Sequence, residues 1–301
     1  MELMALSDRT CDPKYAKLAE AAEAALVKSG RLSGHNGLFL DKVHPQTGTA
    51  SGSSSMGALS DSFYEYLLKV WLLGGKTAAV KPYHTLWEKA MKGLEEDLLR
   101  NSPDGSKSFL ATTGASATLT QEHLACFAPG MLALGSRTAP ARLKTQYLSV
   151  AEKLMETCVA SYTLTPTGLG PDSYQFDSSS HLVPLDKEYK QRPEVVESLY
   201  ILHLTTEKPK YREWGWKIFQ AIERQTKVEC GYAGIKDVMT STPKKHLVDK
   251  QQSFFLSETL KYLYLLFSDS DRVPLDEWVF NTEAHPMRIF SRGGDTGFKI
   301  K

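Results

Sequence analysis

The 301-residue chain is 42% hydrophobic and 24% charged, enough apolar material for a large core in one big domain or two ordinary ones. Its 36 basic and 35 acidic residues leave a formal charge of +1 with no basic run, so nothing in the balance points to nucleic acid or an anionic membrane. Lys, Glu or Arg interrupts every apolar stretch short of bilayer length, and four scattered cysteines (Cys11, Cys126, Cys158, Cys230) exclude a zinc motif or a disulfide-dense scaffold while leaving one bridge open.

The N-terminus, MELMALSDRTCDPKY, has neither the basic n-region nor the apolar h-region of a signal peptide, and reads as the middle of a helix cut from something longer. Residues 13–30 keep helical spacing, with Glu20, Glu23 and Lys28 facing away from Leu18, Ala22 and Leu26. Residues 52–55 are a serine-rich loop, without the preceding strand that a nucleophile elbow needs. Residues 56–73 carry one apolar stripe at Leu59, Phe63, Tyr66 and Val70 and a second at Gly57, Tyr64, Leu68 and Leu72, so no polar face remains. Segment 83–100 is amphipathic, 123–135 (HLACFAPGMLALG) apolar throughout, and 140–162 amphipathic again. Segment 193–206 is apolar, 210–227 amphipathic, and 253–267 has aromatic residues on every side.

A helix with no polar face must be surrounded by protein. Buried and amphipathic helices alternate four times, and short loops make each pair an antiparallel hairpin. An inner ring of parallel buried helices wrapped by an outer amphipathic ring fits this order: an all-α fold of the α/α-barrel type, with only weak strand signals in the loops. A helical solenoid, the competing arrangement, would show self-similar sequence at a fixed period, and none is present.

Each buried helix opens on acids: Asp61; Glu122 beside His123; Glu194 and Glu197, three apart and so on one face; and Glu258. Parallel inner helices gather these groups at one rim. The helix dipole favours acids in any first turn, and Pro193 is an ordinary start signal. In helices buried all round, however, such carboxylates lose their water, which is costly unless they are paired or used. Arg192 can satisfy one of them and not four. With Phe254, Phe255 and Tyr64 nearby in sequence to offer a ring face, a sugar site is expected. Glycoside hydrolysis uses two carboxylic groups, one to protonate the leaving oxygen and one to activate water or attack the anomeric carbon. The sequence has no phosphate-binding Gly loop, CxxC or HExxH, and it lacks the aspartate-rich motif of a terpene cyclase, another α/α-barrel enzyme.

The segments MGALSDSFYEYLLKVWLLGGKT, HLACFAPGMLALG, GLGPDSYQFD, YKQRPEVVESLYILHLTT, YREWGWKIFQAIE, QQSFFLSETLKYLYLLFSD and PLDEWVFNTEAHPMRI follow one another in this order. In them, from residue 2 to 288, the chain resembles glycoside hydrolase family 47, the class I α-1,2-mannosidases of the secretory pathway. The resemblance implies an (α/α)7 barrel with short β-hairpins in its loops, and an inverting, calcium-dependent hydrolysis of terminal α-1,2-linked mannose on high-mannose N-glycans. It makes Glu194 the general base and Asp61 a second catalytic acid. The resemblance also makes Asp172 a catalytic acid, at a position where relatives carry Glu, the shorter side chain withdrawing the charge by a methylene. Thr282 would hold calcium through its hydroxyl and carbonyl oxygens. Arg192, Glu197, Phe254, Glu258 and Glu283 would line the mannose pocket, with His123 close by, and Cys126 would bridge to Cys158. Leu59 stands where endoplasmic-reticulum-type enzymes carry Arg and Golgi-type enzymes Leu, which implies Golgi-type trimming of several branches. A Golgi or endoplasmic reticulum lumen and a monomer are expected by the same resemblance, although this sequence carries no membrane segment.

The sequence departs from the family upstream, where a Glu-bearing helix supplies a proton donor that no residue here matches. Nine helices against the family's fourteen lead to an expected incomplete barrel over 1–290 with a flexible tail at 291–301, apolar flanks exposed around the 56–73 helix, and little hydrolysis by these residues alone. The alternative is a mannosidase-like protein that binds glycan without cutting it, or an inactive fragment.

Overall fold

A computed structural model describes residues 1–29, 37–114, 117–268 and 272–290. The tail expected at 291–301 lies outside the described residues. Nine α-helices are present among those described: α1 (Glu2–Thr10), α2 (Lys14–Ser29), α3 (Asp61–Leu73), α4 (Lys81–Gly93), α5 (Ala128–Ser136), α6 (Ala141–Thr163), α7 (Glu194–Thr206), α8 (Lys210–Thr226) and α9 (Lys261–Phe267). They pack as hairpins α1–α2, α3–α4, α5–α6 and α7–α8, with α9 against α7 and α8. Helices α3, α5, α7 and α9 form the inner wall, and α4, α6 and α8 the outer one.

The sequence explains the division. Helix α5, APGMLALGS, has no charge and is buried at all nine positions. Its glycines let it lie close to its neighbours. A Cβ on Gly130 would stand 3.0 Å from the Ser198 Cα of α7, and one on Gly135 would stand 2.2 Å from the Trp87 ring of α4. The outer helix α8 instead buries Tyr211, Ile218, Ala221 and Ile222 along one stripe and leaves its charges in solvent.

The expected α/α-barrel hairpins are present, with short antiparallel strand pairs in the loops. One pair matters for the site. Strands Trp278–Phe280 and Pro286–Arg288 form a hairpin whose first strand packs on α3. Phe280 sits against Tyr200 of α7 and Tyr262 of α9, so the hairpin packs into the inner wall of helices.

Two details differ from expectation. The helix read from residue 56 starts at Asp61, which is therefore its first residue. The flanks expected to be bare around it are covered: Tyr64, Leu68, Val70 and Leu72 are buried beneath the hairpin and neighbouring helices. Leu59, in the loop just before this helix, is exposed, as are Leu18 and Leu26 on α2 and Tyr264 on α9.

Candidate active site

Asp61 and Glu194 are the first residues of α3 and α7, and Glu197 follows one turn later on the inner face. Glu258 reaches the same end from a π-helical turn, Phe255–Leu260, that precedes α9. Such single π turns re-aim side chains and recur at functional sites. The turn at 281–285 closes the group from the hairpin. There Asn281 Oδ1 accepts from the backbone N–H of Glu283 (3.0 Å) and His285 (2.8 Å), and Ala284 adopts a left-handed φ of 56°.

These elements enclose a hollow of about 180 Å³, lined by Asp61, Glu65, Arg192, Glu194, Glu197, Phe254, Glu258, Thr282 and Glu283 among others. That is room for roughly a dozen waters, and so for one sugar ring. Eight of the residues read from the sequence converge here. Asp172 and His123 do not line the hollow; they stand behind it. Of the three aromatic residues expected to offer a ring face, only Phe254 lines the hollow. Phe255 is buried against Tyr232, and Tyr64 turns its hydroxyl to the Phe39 backbone. Cys126 and Cys158 form a disulfide, as the resemblance implied.

The groups behind the wall hold those in front. His123 Nδ1 lies 2.8 Å from Glu194 Oε2 and its Nε2 lies 2.7 Å from Tyr162 Oη. With Glu194 ionised, Nδ1 must donate, so in neutral histidine Nε2 accepts the Tyr162 proton. Asp172 accepts from Arg192 Nε and from Lys190 Nζ (2.8 Å), and Lys190 also donates to Asp186 (2.7 Å). Burial alone would raise Asp172, but Arg192 and Lys190 outweigh it and hold its carboxyl below the ordinary range. Gln191, fully buried at a φ of 62°, fixes the approach to α7. Its side-chain carbonyl accepts from Gln252 N–H (2.8 Å) and its backbone carbonyl from the Thr259 hydroxyl (2.7 Å).

The cluster is short of positive charge. Burial, then Glu194, Glu65 and Glu122, pushes Asp61 up to about 6. Burial pushes Glu197 up to about 8 against the pull of Lys69. Burial, with Glu197, Glu283 and Glu194 following, pushes Glu258 up to about 8. Perturbed carboxyl groups gathered in one concavity mark a functional site.

Several members were missed in the sequence. Glu65 and Lys69 follow Asp61 at intervals of four, one stripe of α3, and that spacing was there to be read. Glu122, already read among the opening acids, accepts from Ala58 N–H (2.7 Å) and so ties the loop before α3 to the strand before His123. Glu2 accepts from Tyr66 Oη (2.7 Å) and Asn281 Nδ2 (2.9 Å), while Thr282 N–H donates to Tyr66 Oη (3.3 Å). No local signal marks Glu2; it is brought there by a contact across 279 residues of chain.

Calcium fits the donors present. Thr282 lies among Glu283, Glu258 and Glu197, an all-oxygen and anionic surround suited to a hard cation. Among the described residues, no three His, Cys, Asp or Glu side chains form a metal site by themselves. An ion at Thr282 would therefore keep mostly water or ligand oxygens.

The sequence profile of glycosyl hydrolase family 47 matches residues 1–289. The chain is 45% identical to mannosyl-oligosaccharide 1,2-alpha-mannosidase MNS1 of Arabidopsis thaliana, over 97% of this chain and 51% of that protein. It is 41% identical to the human mannosyl-oligosaccharide 1,2-alpha-mannosidase IB, over 98% of this chain and 46% of that protein. The chain thus spans about half the length of these curated relatives. Among solved structures, the alpha-1,2-mannosidase from Trichoderma reesei superimposes with a TM-score of 0.88 at 30% identity, covering 96% of this chain and 64% of that one. A family 76 mannosidase from Bacteroides thetaiotaomicron shares the fold alone, with a TM-score of 0.57 at 12% identity.

Proposed function

This chain belongs to glycosyl hydrolase family 47, and on that premise we propose that its hollow takes the terminal α-1,2-linked mannose of a high-mannose N-glycan for hydrolysis with inversion. The observation that carries this reading is the convergence of Asp61, Glu194, Glu197, Glu258 and Phe254 on one ring-sized space beside Thr282.

Glu194 is the general base. His123 occupies one of its oxygens from behind, which leaves the other to take a proton from water on the hollow side. Asp61, held near the point of half-protonation at mildly acidic pH, is the second catalytic acid. Asp172 stays charged and anchors Arg192, so we assign it a positioning role in place of the acid role that its sequence position suggested. Phe254 offers the ring face, and Glu197, Glu258 and Glu283 accept hydroxyl protons. Calcium bound at Thr282 would neutralise these acids and orient sugar hydroxyls.

Leu59, 74% exposed and two residues before Asp61, has no charge with which to hold one glycan branch, which favours trimming of several branches. The buried disulfide suits an oxidising lumen, as in the Golgi or endoplasmic reticulum. No helix among the described residues is long and apolar enough to cross a membrane. The working unit is read as a monomer. Within these 301 residues nothing matches the family's upstream proton donor, so the 301-residue polypeptide taken alone is expected to turn over slowly.

The test is proton NMR of α-1,2-mannobiose incubated with calcium and the full-length gene product that carries this sequence. The expected first product is β-mannose, lost on chelation and restored by calcium, with Glu194→Gln slower by about 10²–10⁴-fold. Release unaffected by Glu194→Gln, or α-mannose as first product, would overturn the assignment.

A further inference from the structure

Lys69 is a cation placed where the fold needs only an apolar side chain. It sits in the middle of α3, 5% exposed, beside Leu67, Leu68, Val70 and Trp71. Its Nζ contacts Glu65 one turn back and lies 3.6 Å from Glu197 on α7. Glu197 Oε1 also accepts from Tyr262 Oη of α9 at 3.4 Å. Three inner helices are therefore joined through one buried ammonium and two carboxyl groups.

The triad separates two spaces. Glu65 and Glu197 line the hollow, whereas Lys69 does not reach it. All three border a second void of about 20 Å³, walled by Met131, Leu134, Ile201 and Phe280 among others. That void holds one or two waters at most. Lys69 thus acts from behind the floor and never touches what binds above.

Stability does not explain such an arrangement. Apolar side chains of similar volume commonly do as well as a buried ion network, or better. The hollow supplies a reason. Asp61, Glu65, Glu194, Glu197, Glu258 and Glu283 face it, with Arg192 as the one cation lining it among the described residues. Arg192 is already held by Asp172. The groups facing Glu197 are Lys69 and Glu65 from α3, Glu194 from its own helix, Glu258 from the π turn and Tyr262 from α9. Of these, Lys69 alone attracts it as a charge.

We propose that Lys69 is a positioning residue, fixing Glu65 and Glu197 from beneath the floor so that their free oxygens meet the hydroxyls of a polyol ring in the hollow. The identity of that ring rests on the mannoside reading; the anchoring does not.

The test is a double-mutant cycle read by calorimetric titration of the chain with 1-deoxymannojirimycin in calcium, and in parallel by thermal unfolding. Lys69→Met is expected to weaken binding by about tenfold or more, and by less than about threefold once Glu197 is already Gln. If Lys69→Met alone does not fold, the Lys69→Met/Glu65→Gln pair, which removes one charge of each sign, carries the comparison against Glu65→Gln. Unchanged affinity in the folded variant, or effects that multiply independently, overturns the proposal. If the wild-type chain binds no iminosugar, coupling of Lys69→Met with Glu197→Gln in the unfolding midpoint upholds the anchor and overturns only the mannoside reading. Additivity there overturns the anchor itself.

Discussion

Asp61 carries a charge that its surroundings make costly. Its carboxyl is raised from an ordinary 3.8 to about 6 by burial and by neighbouring acids. A carboxyl raised on folding contributes stability that is complete below its unfolded value and is lost as pH rises through its folded one. Above about pH 6 the ionised Asp61 therefore works against the fold. Asp61→Asn keeps an oxygen for the Ser62 N–H (2.8 Å) and removes the charge. It is expected to stabilise the chain by ~1–2 kcal/mol at pH 8, after discounting for partial exposure, with the gain fading towards pH 4. Urea midpoints across that range check it; a gain that does not vary with pH contradicts it. Individual acids were legible in the sequence because they open helices with no polar face. Phe255 and Tyr64 misled, because proximity in sequence does not say which side of a helix an aromatic ring takes. Glu2 was invisible, because its only warrant is a long-range contact with Tyr66 and Asn281.

Helix packing sets the scale at which glycine and disulfide substitutions act. Trp87 is fully buried and meets Tyr147 edge-on at 5.3 Å, so it has no room to retreat from a Cβ on Gly135. Gly135→Ala should destabilise by about 1–3 kcal/mol, although alanine is favoured over glycine in a helix by about 1 kcal/mol. A urea midpoint at or above wild type would contradict this packing. The Cys126–Cys158 bridge ties the turn before α5 to α6 across 32 residues. Its removal as a Ser pair is expected to cost about 3–4 kcal/mol, by the loss of restraint on the unfolded chain. Retention of the wild-type melting temperature after full reduction would refute that. Helix order and burial class followed from periodicity, and boundaries moved by a few residues. The π turn that aims Glu258 could not be read, since its register is imposed by packing and Phe255–Leu260 carries no local signal for it.

At the scale of the molecule, alternation of buried and amphipathic helices was enough to argue an α/α-barrel arrangement, and parallel inner helices were enough to gather their opening acids. What the pattern did not contain was the hairpin Trp278–Phe280/Pro286–Arg288, whose polar turn looks like any surface loop until it is seen packed between the inner helices and the hollow. That packing completes the hollow, and the functional reading stands on the hollow being a single sugar pocket. Calorimetric titration of the chain with 1-deoxymannojirimycin in the presence of calcium tests this most directly. One site per chain is predicted, weakened about tenfold or more, at least 1.4 kcal/mol, by Phe254→Ala or Glu258→Gln and unchanged by Trp216→Ala on the outer face. Absence of saturable binding, or binding indifferent to both pocket substitutions, would contradict it.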